Sequence, residues 1–176
     1  MIIFENNYNK NIPPIGTTQT FNGKADPVNV SISILLIMKV VEIEESDHSL
    51  QLQFQISLDW KENRVKYYNL KKDTYLNALT DLDIKKIWLP LIVYDNTDQK
   101  EVTRLGENWE WVTRVTVTRE GNFTRSPIQM VDEAETFEGA ENTLTMNQTY
   151  TLKFWCLYKL QHYPFDTQVR QWFIFF

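Results

Sequence analysis

Between residues 50 and 58 the sequence alternates without interruption. Leu50, Leu52, Phe54, Ile56 and Leu58 are apolar, and Gln51, Gln53, Gln55 and Ser57 between them are polar. A strand places successive side chains on opposite faces, so this period of two fits a β-strand with one face in a core and one toward solvent. A helix would scatter the same residues around its circumference. Short stretches of the same kind follow one another along the chain. Val28, Val30, Ile32, Ile34 and Leu36 alternate with Asn29, Ser31, Ser33 and Leu35, residues 37–43 continue the strand, and Glu44, Glu45, Ser46 and Asp47 make a turn. Leu144 onward gives a further strand, on which Leu152, Phe154, Cys156, Tyr158 and Leu160 share a face. Closely spaced strands separated by turn residues predict an all-β fold, an antiparallel sandwich of immunoglobulin-like architecture.

Other elements are predicted around these strands. Residues 1–28 are polar and turn-rich, with an apolar start at Ile2, Ile3 and Phe4, and form a short N-terminal helix and loop that Pro13 and Pro14 end. Residues 29–176 form the sandwich. Thr80, Asp81 and Leu82 start a brief helical turn before Ile84. Val115 and Val117 lead into a hairpin turn at Glu120-Gly121-Asn122, with Phe123 beginning the return strand. Asp132, Glu133, Glu135, Glu138 and Glu141 make a solvated acidic loop, because the spacing of a calcium-binding loop is absent.

Composition excludes several classes of function. A formal charge of −5 is unsuited to nucleic acid, which calls for clustered Lys and Arg. Only 5 glycines leave little material for phosphate cradles, whereas 14% aromatic content suits β-structure. His48 and His162 are far apart, and no Cys-X-X-Cys or His-X-X-X-His spacing supplies a metal site, so no metal or other cofactor is expected. Cys156 and His162 lack an orienting third group and Cys156 faces the apolar side of its strand, which makes it a structural thiol and the chain a non-enzyme. One cysteine allows no internal disulfide. Three Asn-X-Ser/Thr triplets, at Asn29, Asn122 and Asn147, point instead to a secreted chain and are glycosylation candidates. No signal peptide is visible at the N-terminus, and no apolar run reaches the roughly 20 residues that span a bilayer.

A further stretch runs from Cys156 through Tyr163-Pro164-Phe165-Asp166 to Gln168. Proline between two rings is a turn former, and an apolar tip on a loop seeks a partner surface. This core resembles the signature loop of the pentameric neurotransmitter-gated channels, the Cys-loop receptors, although Arg170 stands where the family has its second cysteine. Trp60-Lys61-Glu62-Asn63-Arg64 resembles the family's Trp-X-Asp/Glu-X-Arg segment. Trp88, Pro90 and Asn96 fall in place in another, with Leu91 replacing an Asp. Tyr8 to Pro14 resembles the segment before the first strand. The likeness covers roughly residues 6–169, and residues after Arg170 depart from it, as an incomplete or misjoined end would.

The resemblance implies the extracellular ligand-binding region of a channel subunit in the plasma membrane, the postsynaptic membrane being one setting. Its partners would be a small-molecule neurotransmitter, the other subunits of a homo- or hetero-pentamer, and a membrane reached through a transmembrane region missing from this chain. It implies ligand contacts at Tyr94 and Asp95 on one side of a subunit junction, and at Gln55, Thr124 and Ser126 on the other. Cys156, Tyr163, Pro164, Phe165 and Asp166 would couple binding to gating. Gln55 and Asp95 depart from an aromatic ligand cage. A soluble ligand-binding pentamer, a structural or adhesion sandwich, and a non-functional fragment with an unpaired sheet edge are the other readings.

Overall fold

The computed structural model describes residues 2–14, 28–94, 97, 114–125, 135–155 and 174–175. They form antiparallel sheets, as the alternation predicts, with apolar side chains packed between two main layers. The first sheet holds β2 (Ser31–Glu44), β3 (Ser49–Lys61), β6 (Arg114–Thr118) and β9 (Thr143–Trp155), in the order β2-β3-β9-β6. The second holds β1 (Ile2–Phe4), β4 (Val65–Tyr68), β7 (Phe123–Arg125) and β8 (Glu135–Glu138), in the order β1-β4-β8-β7. A two-stranded piece pairs β5 (Val93–Tyr94) with β10 (Ile174–Phe175).

β3 is the centre of this arrangement. It runs antiparallel to β9 without a register shift, from Ser49 opposite Trp155 to Lys61 opposite Thr143. Its apolar face supplies Leu52, Phe54, Ile56, Leu58 and Trp60 to the core, and β9 adds Leu144, Met146, Tyr150, Leu152 and Phe154. Each aliphatic or aromatic side chain so buried stabilises the fold by roughly 1.5–3 kcal/mol before ordering entropy is counted. The turn at 45–48 that joins β2 to β3 places His48 in the left-handed region, with φ 51°. The helical turn also forms as expected. α1 (Asp81–Ile84) is capped by Thr80, whose Oγ1 accepts the Asp83 N–H at 3.2 Å.

Four expectations are corrected. Residues 2–14 contain no helix. Ile2–Phe4 is instead a strand that pairs with β4, since two β-branched residues and a phenylalanine suit the open edge of that strand. The acidic stretch is not wholly a loop. Glu135–Glu138 is β8, held between β4 and β7, with Phe137 buried and Glu138 bonded to Lys66 at 2.8 Å. The turn at Gly121 does not make a hairpin, because β6 pairs with β9 in the first sheet and β7 with β8 in the second. Asn142 holds this crossover: its Oδ1 accepts the N–H groups of Glu120 at 3.0 Å and Gly121 at 3.3 Å, and its Nδ2 donates to the Glu138 carbonyl at 2.7 Å. A Cβ on Gly121 would lie 2.5 Å from the Glu141 Cβ, so the crossover leaves no room for a side chain.

The fourth correction concerns β2. The simple alternation puts Ile32, Ile34 and Leu36 on one face. Register shifts after Ile32, Ile37 and Val40 each insert an extra residue, as bulges do. They bring Ile32, Leu35, Ile37, Val40 and Ile43 opposite Leu58, Ile56, Phe54, Leu52 and Leu50 of β3, on the core side of the sheet. Yet these five are 42–59% exposed, because no described part of the second sheet reaches over them. β2 is therefore an edge strand whose apolar face overhangs the sandwich.

Candidate functional site

Two buried constellations fix the segments that the sequence singles out. The first lies where β5 crosses β3 and β9. Tyr94, 9% exposed, meets the Phe54 ring edge-on at 5.7 Å, the Tyr150 ring at 5.3 Å and the Phe154 ring at 6.4 Å. Phe54 stacks on Tyr150 at 5.6 Å and tilts against Phe154 at 6.1 Å. Contacts of this kind contribute about 0.5–1.5 kcal/mol each beyond simple burial. Burial pushes the pKa values of Tyr94 and Tyr150 well above the usual phenol value, so both remain neutral at ordinary pH. The rings clamp the end of the 88–94 segment to the two central strands.

The second constellation grows from Trp60-Lys61-Glu62-Asn63-Arg64. Trp60 is buried and meets Trp88 edge-on at 6.3 Å. The Glu62 side chain has no solvent exposure, and its two oxygens take Arg64 Nε at 2.8 Å and Nη2 at 2.7 Å. Such a planar, two-bond pairing is specific to arginine and carboxylate. Arg64 Nη1 also donates to the carbonyls of Asn9 at 3.3 Å and Ile12 at 2.8 Å, and the guanidinium lies 4.8 Å from the centre of the Tyr8 ring. Tyr8 closes the knot. Its hydroxyl donates to Glu62 Oε2 at 3.3 Å and accepts the Trp88 N–H at 2.6 Å. Burial above all, opposed by the Trp88 N–H and aided by the Glu62 charge, pushes the Tyr8 phenol up to about 12. The bond to Glu62 raises Arg64 above its ordinary value. This knot joins the N-terminal segment, the β3–β4 turn and the chain entering 88–94. The sequence motif marked Glu62 and Arg64, but the part taken by Tyr8 carried no signal beyond a tyrosine ahead of two prolines.

The sequence-predicted contacts are distributed as follows. Gln55 is half-buried on the face of β3 turned away from the core, with Leu36 of β2 and Thr149 of β9 opposite it. Thr124 is exposed on β7, opposite Thr136 of β8, in the other sheet. Tyr94 points into the core. Asp95, Ser126, Cys156, Tyr163, Pro164, Phe165 and Asp166 lie outside the described residues. Within one chain, then, Gln55, Thr124 and Tyr94 do not line a common cavity wall: they sit on an outer sheet face, on the other sheet and between the layers.

Residues 2–170 match the family model described as the neurotransmitter-gated ion-channel ligand binding domain. The chain belongs to that family. The two antiparallel sheets are those of a neurotransmitter-gated ion-channel ligand-binding domain, and ligand binding, rather than catalysis, is the business of the family. Comparison with curated proteins gives no match. Among the described residues no three His, Cys, Asp or Glu side chains are grouped to hold a metal ion, and no helix is long and apolar enough to cross a membrane.

Proposed function

We propose that this ligand-binding domain is the extracellular head of a pentameric channel subunit, and that it takes a small-molecule neurotransmitter at the junctions between subunits. One observation carries the reading beyond the family: the Tyr94 ring cluster ties the candidate ligand segment to β9, whose last residue, Trp155, precedes Cys156 of the signature loop. A shift of the 88–94 segment on binding would press directly on the strand that feeds the loop. Binding energy biases closed and open states only through different affinity for the two, and the ring cluster couples the ligand segment to the strand whose position would differ between them. Asp166 supplies the charged part and Phe165 the apolar part of the contact with the membrane region.

Assembly has separate support. β2 presents a strand's length of apolar surface at a sheet edge, a surface that soluble monomers generally blunt or cover. The scattering of Gln55, Thr124 and Tyr94 within one chain fits a site completed by a neighbour, with Tyr94 positioning Asp95 on one subunit and Gln55, Thr124 and Ser126 offered by the next. Their polar character favours a ligand recognised by hydrogen bonds and charge over one held by a full aromatic cage. Isothermal titration of a panel of amines and amino acids into the assembled oligomer tests this. Saturable heat from at least one compound is expected. A flat response throughout, from protein shown to be pentameric, would favour a structural sandwich and overturn the reading.

A further inference from the structure

The three Asn-X-Ser/Thr triplets occupy different environments. Asn29 is exposed just before β2 begins, and Ser31, the hydroxyl residue of its triplet, is exposed as the first residue of β2. Asn122 is exposed just after the Gly121 crossover, with its backbone N–H held by Glu141 Oε2 at 3.2 Å, and Thr124 of its triplet is exposed on β7. Asn147 is placed otherwise. It lies midway along β9, a strand paired on both sides, with Ser57 opposite it on β3 and Arg114 on β6. Its Oδ1 accepts the hydroxyl of Ser57, a residue with no exposure, and the middle residue of its triplet, Gln148, is buried.

The strand registers add a second fact. Ser31 pairs with Asp59 at one end of β3, Lys61 pairs with Thr143 at the start of β9, and Thr143 pairs with Thr118 at the end of β6. Glu120 caps this corner, accepting from the Thr143 hydroxyl at 2.9 Å and lying 3.9 Å from the Lys61 ammonium. Asn29 and Asn122 thus flank the same end of the first sheet, where three inter-strand gaps set the outer strands β2 and β6 about 14 Å apart. The opposite end, where Ser49 faces Trp155, is the one from which the chain leaves β9 toward Cys156. At ~3.3 Å per residue the 13 residues of β9 separate the two ends by about 40 Å.

We infer that the folded chain carries N-linked glycans at Asn29 and Asn122 and none at Asn147. The glycans gather at the end of the first sheet opposite the one where β9 finishes at Trp155. This rests on the extracellular reading above, which alone gives the chain access to the transferase. In the transfer, the side-chain Nδ2 forms a bond to C1 of the first sugar of a lipid-pyrophosphate-linked oligosaccharide. The bond from that carbon to the pyrophosphate oxygen breaks, the lipid pyrophosphate leaves with the electron pair, and the amide nitrogen gives up one proton. An Asn at a loop–strand junction offers Nδ2 to such a donor. At Asn147 a glycan would have to emerge from among the side chains of two flanking strands, against the Ser57 contact.

The test is the full chain behind a cleavable secretory leader, with a reporter triplet in an appended flexible tail, produced in cultured animal cells. Enzymatic deglycosylation converts each modified Asn to Asp, and peptide mass mapping then reads positions 29, 122 and 147. Asp is expected at 29 and 122 and Asn at 147. N29Q and N122Q should each remove one glycan from the secreted protein and N147Q none, with S31A repeating the loss at Asn29 without altering that side chain. A glycan at Asn147 in the secreted, folded protein would overturn the assignment, as would bare Asn29 and Asn122 beside a modified reporter. A titration panel on the same preparation reports on ligand binding separately, so a failed ligand reading and a failed glycan assignment give different results.

Discussion

Replacing Glu62 by Gln tests whether the buried knot holds the domain together. The substitution keeps the shape of the side chain and removes its charge. It strips two charge-assisted bonds to Arg64, at 2.8 and 2.7 Å, of their ionic part and offers an amide N–H₂ where an acceptor is needed. Breaking one side of a buried pair costs roughly 3–5 kcal/mol. Arg64 keeps the carbonyls of Asn9 and Ile12 and its side chain is 18% exposed, which places the loss at the lower end, about 3 kcal/mol. With a urea slope of about 2 kcal/mol per molar, the unfolding midpoint should fall by about 1.5 M. Amide exchange at Ile12, bonded to the Asn9 carbonyl at 3.2 Å, should quicken in the same variant, because the N-terminal segment loses its anchor. Adding R64M to E62Q should recover part of the loss, since the uncompensated guanidinium charge is then removed as well. A loss below about 0.5 kcal/mol for E62Q, the range of ordinary surface changes, would refute this reasoning.

Other outcomes follow from the same structure. Gly139→Ala places a Cβ 2.0 Å from the Glu62 carbonyl oxygen and 2.6 Å from that of Val65, both backbone atoms that cannot swing away; denaturant unfolding should show a loss of about 3 kcal/mol, and unchanged stability would contradict the packing. Above pH 10 the unfolded tyrosines lose their protons while Tyr8 holds its own to about 12, so the unfolded state binds fewer protons and stability falls as pH rises through that window. Y8F should make the fall shallower, measured as unfolding midpoint against pH; an identical slope would count against the buried phenol. L35K/I37K puts charge on the overhanging face of β2, at residues more than half exposed. Chain stability should change by less than about 0.5 kcal/mol while light scattering shows weaker self-association, and undiminished association would remove β2 from the interface.

Much of the fold could be read from the chain because its central strand is regular. The alternation from Leu50 to Leu58 survives intact in β3, and Thr80 caps the turn it was expected to cap. β2 was harder, since three inserted residues shift its faces and no local pattern announces where bulges fall. The acidic stretch hid β8 because a short strand held on both sides needs only Phe137 pointing inward, while its glutamates meet Lys66 and Arg119. Gly121 reads as a turn, but whether a turn returns to the same sheet or crosses to the other depends on Asn142, 21 residues away. The site divides similarly. The Trp60–Arg64 motif was visible as a motif, whereas the link from its carboxylate to Tyr8 spans 54 residues and has no local signature. The sequence offers Tyr94 as a candidate ligand-side residue, and only the arrangement of rings from three strands shows it packed between the layers.

A mixed assembly addresses the junctional site most directly. Once a ligand is in hand from the titration panel, chains bearing Gln55→Ala and chains bearing Asp95→Ala are prepared separately and then co-assembled. Each variant alone should bind poorly, because every junction lacks one contact. In the mixture, some junctions pair the intact side of one variant with the intact side of the other, and part of the high-affinity binding should return. If both variants bind weakly alone and mixing restores nothing, the ligand is not held between neighbouring subunits.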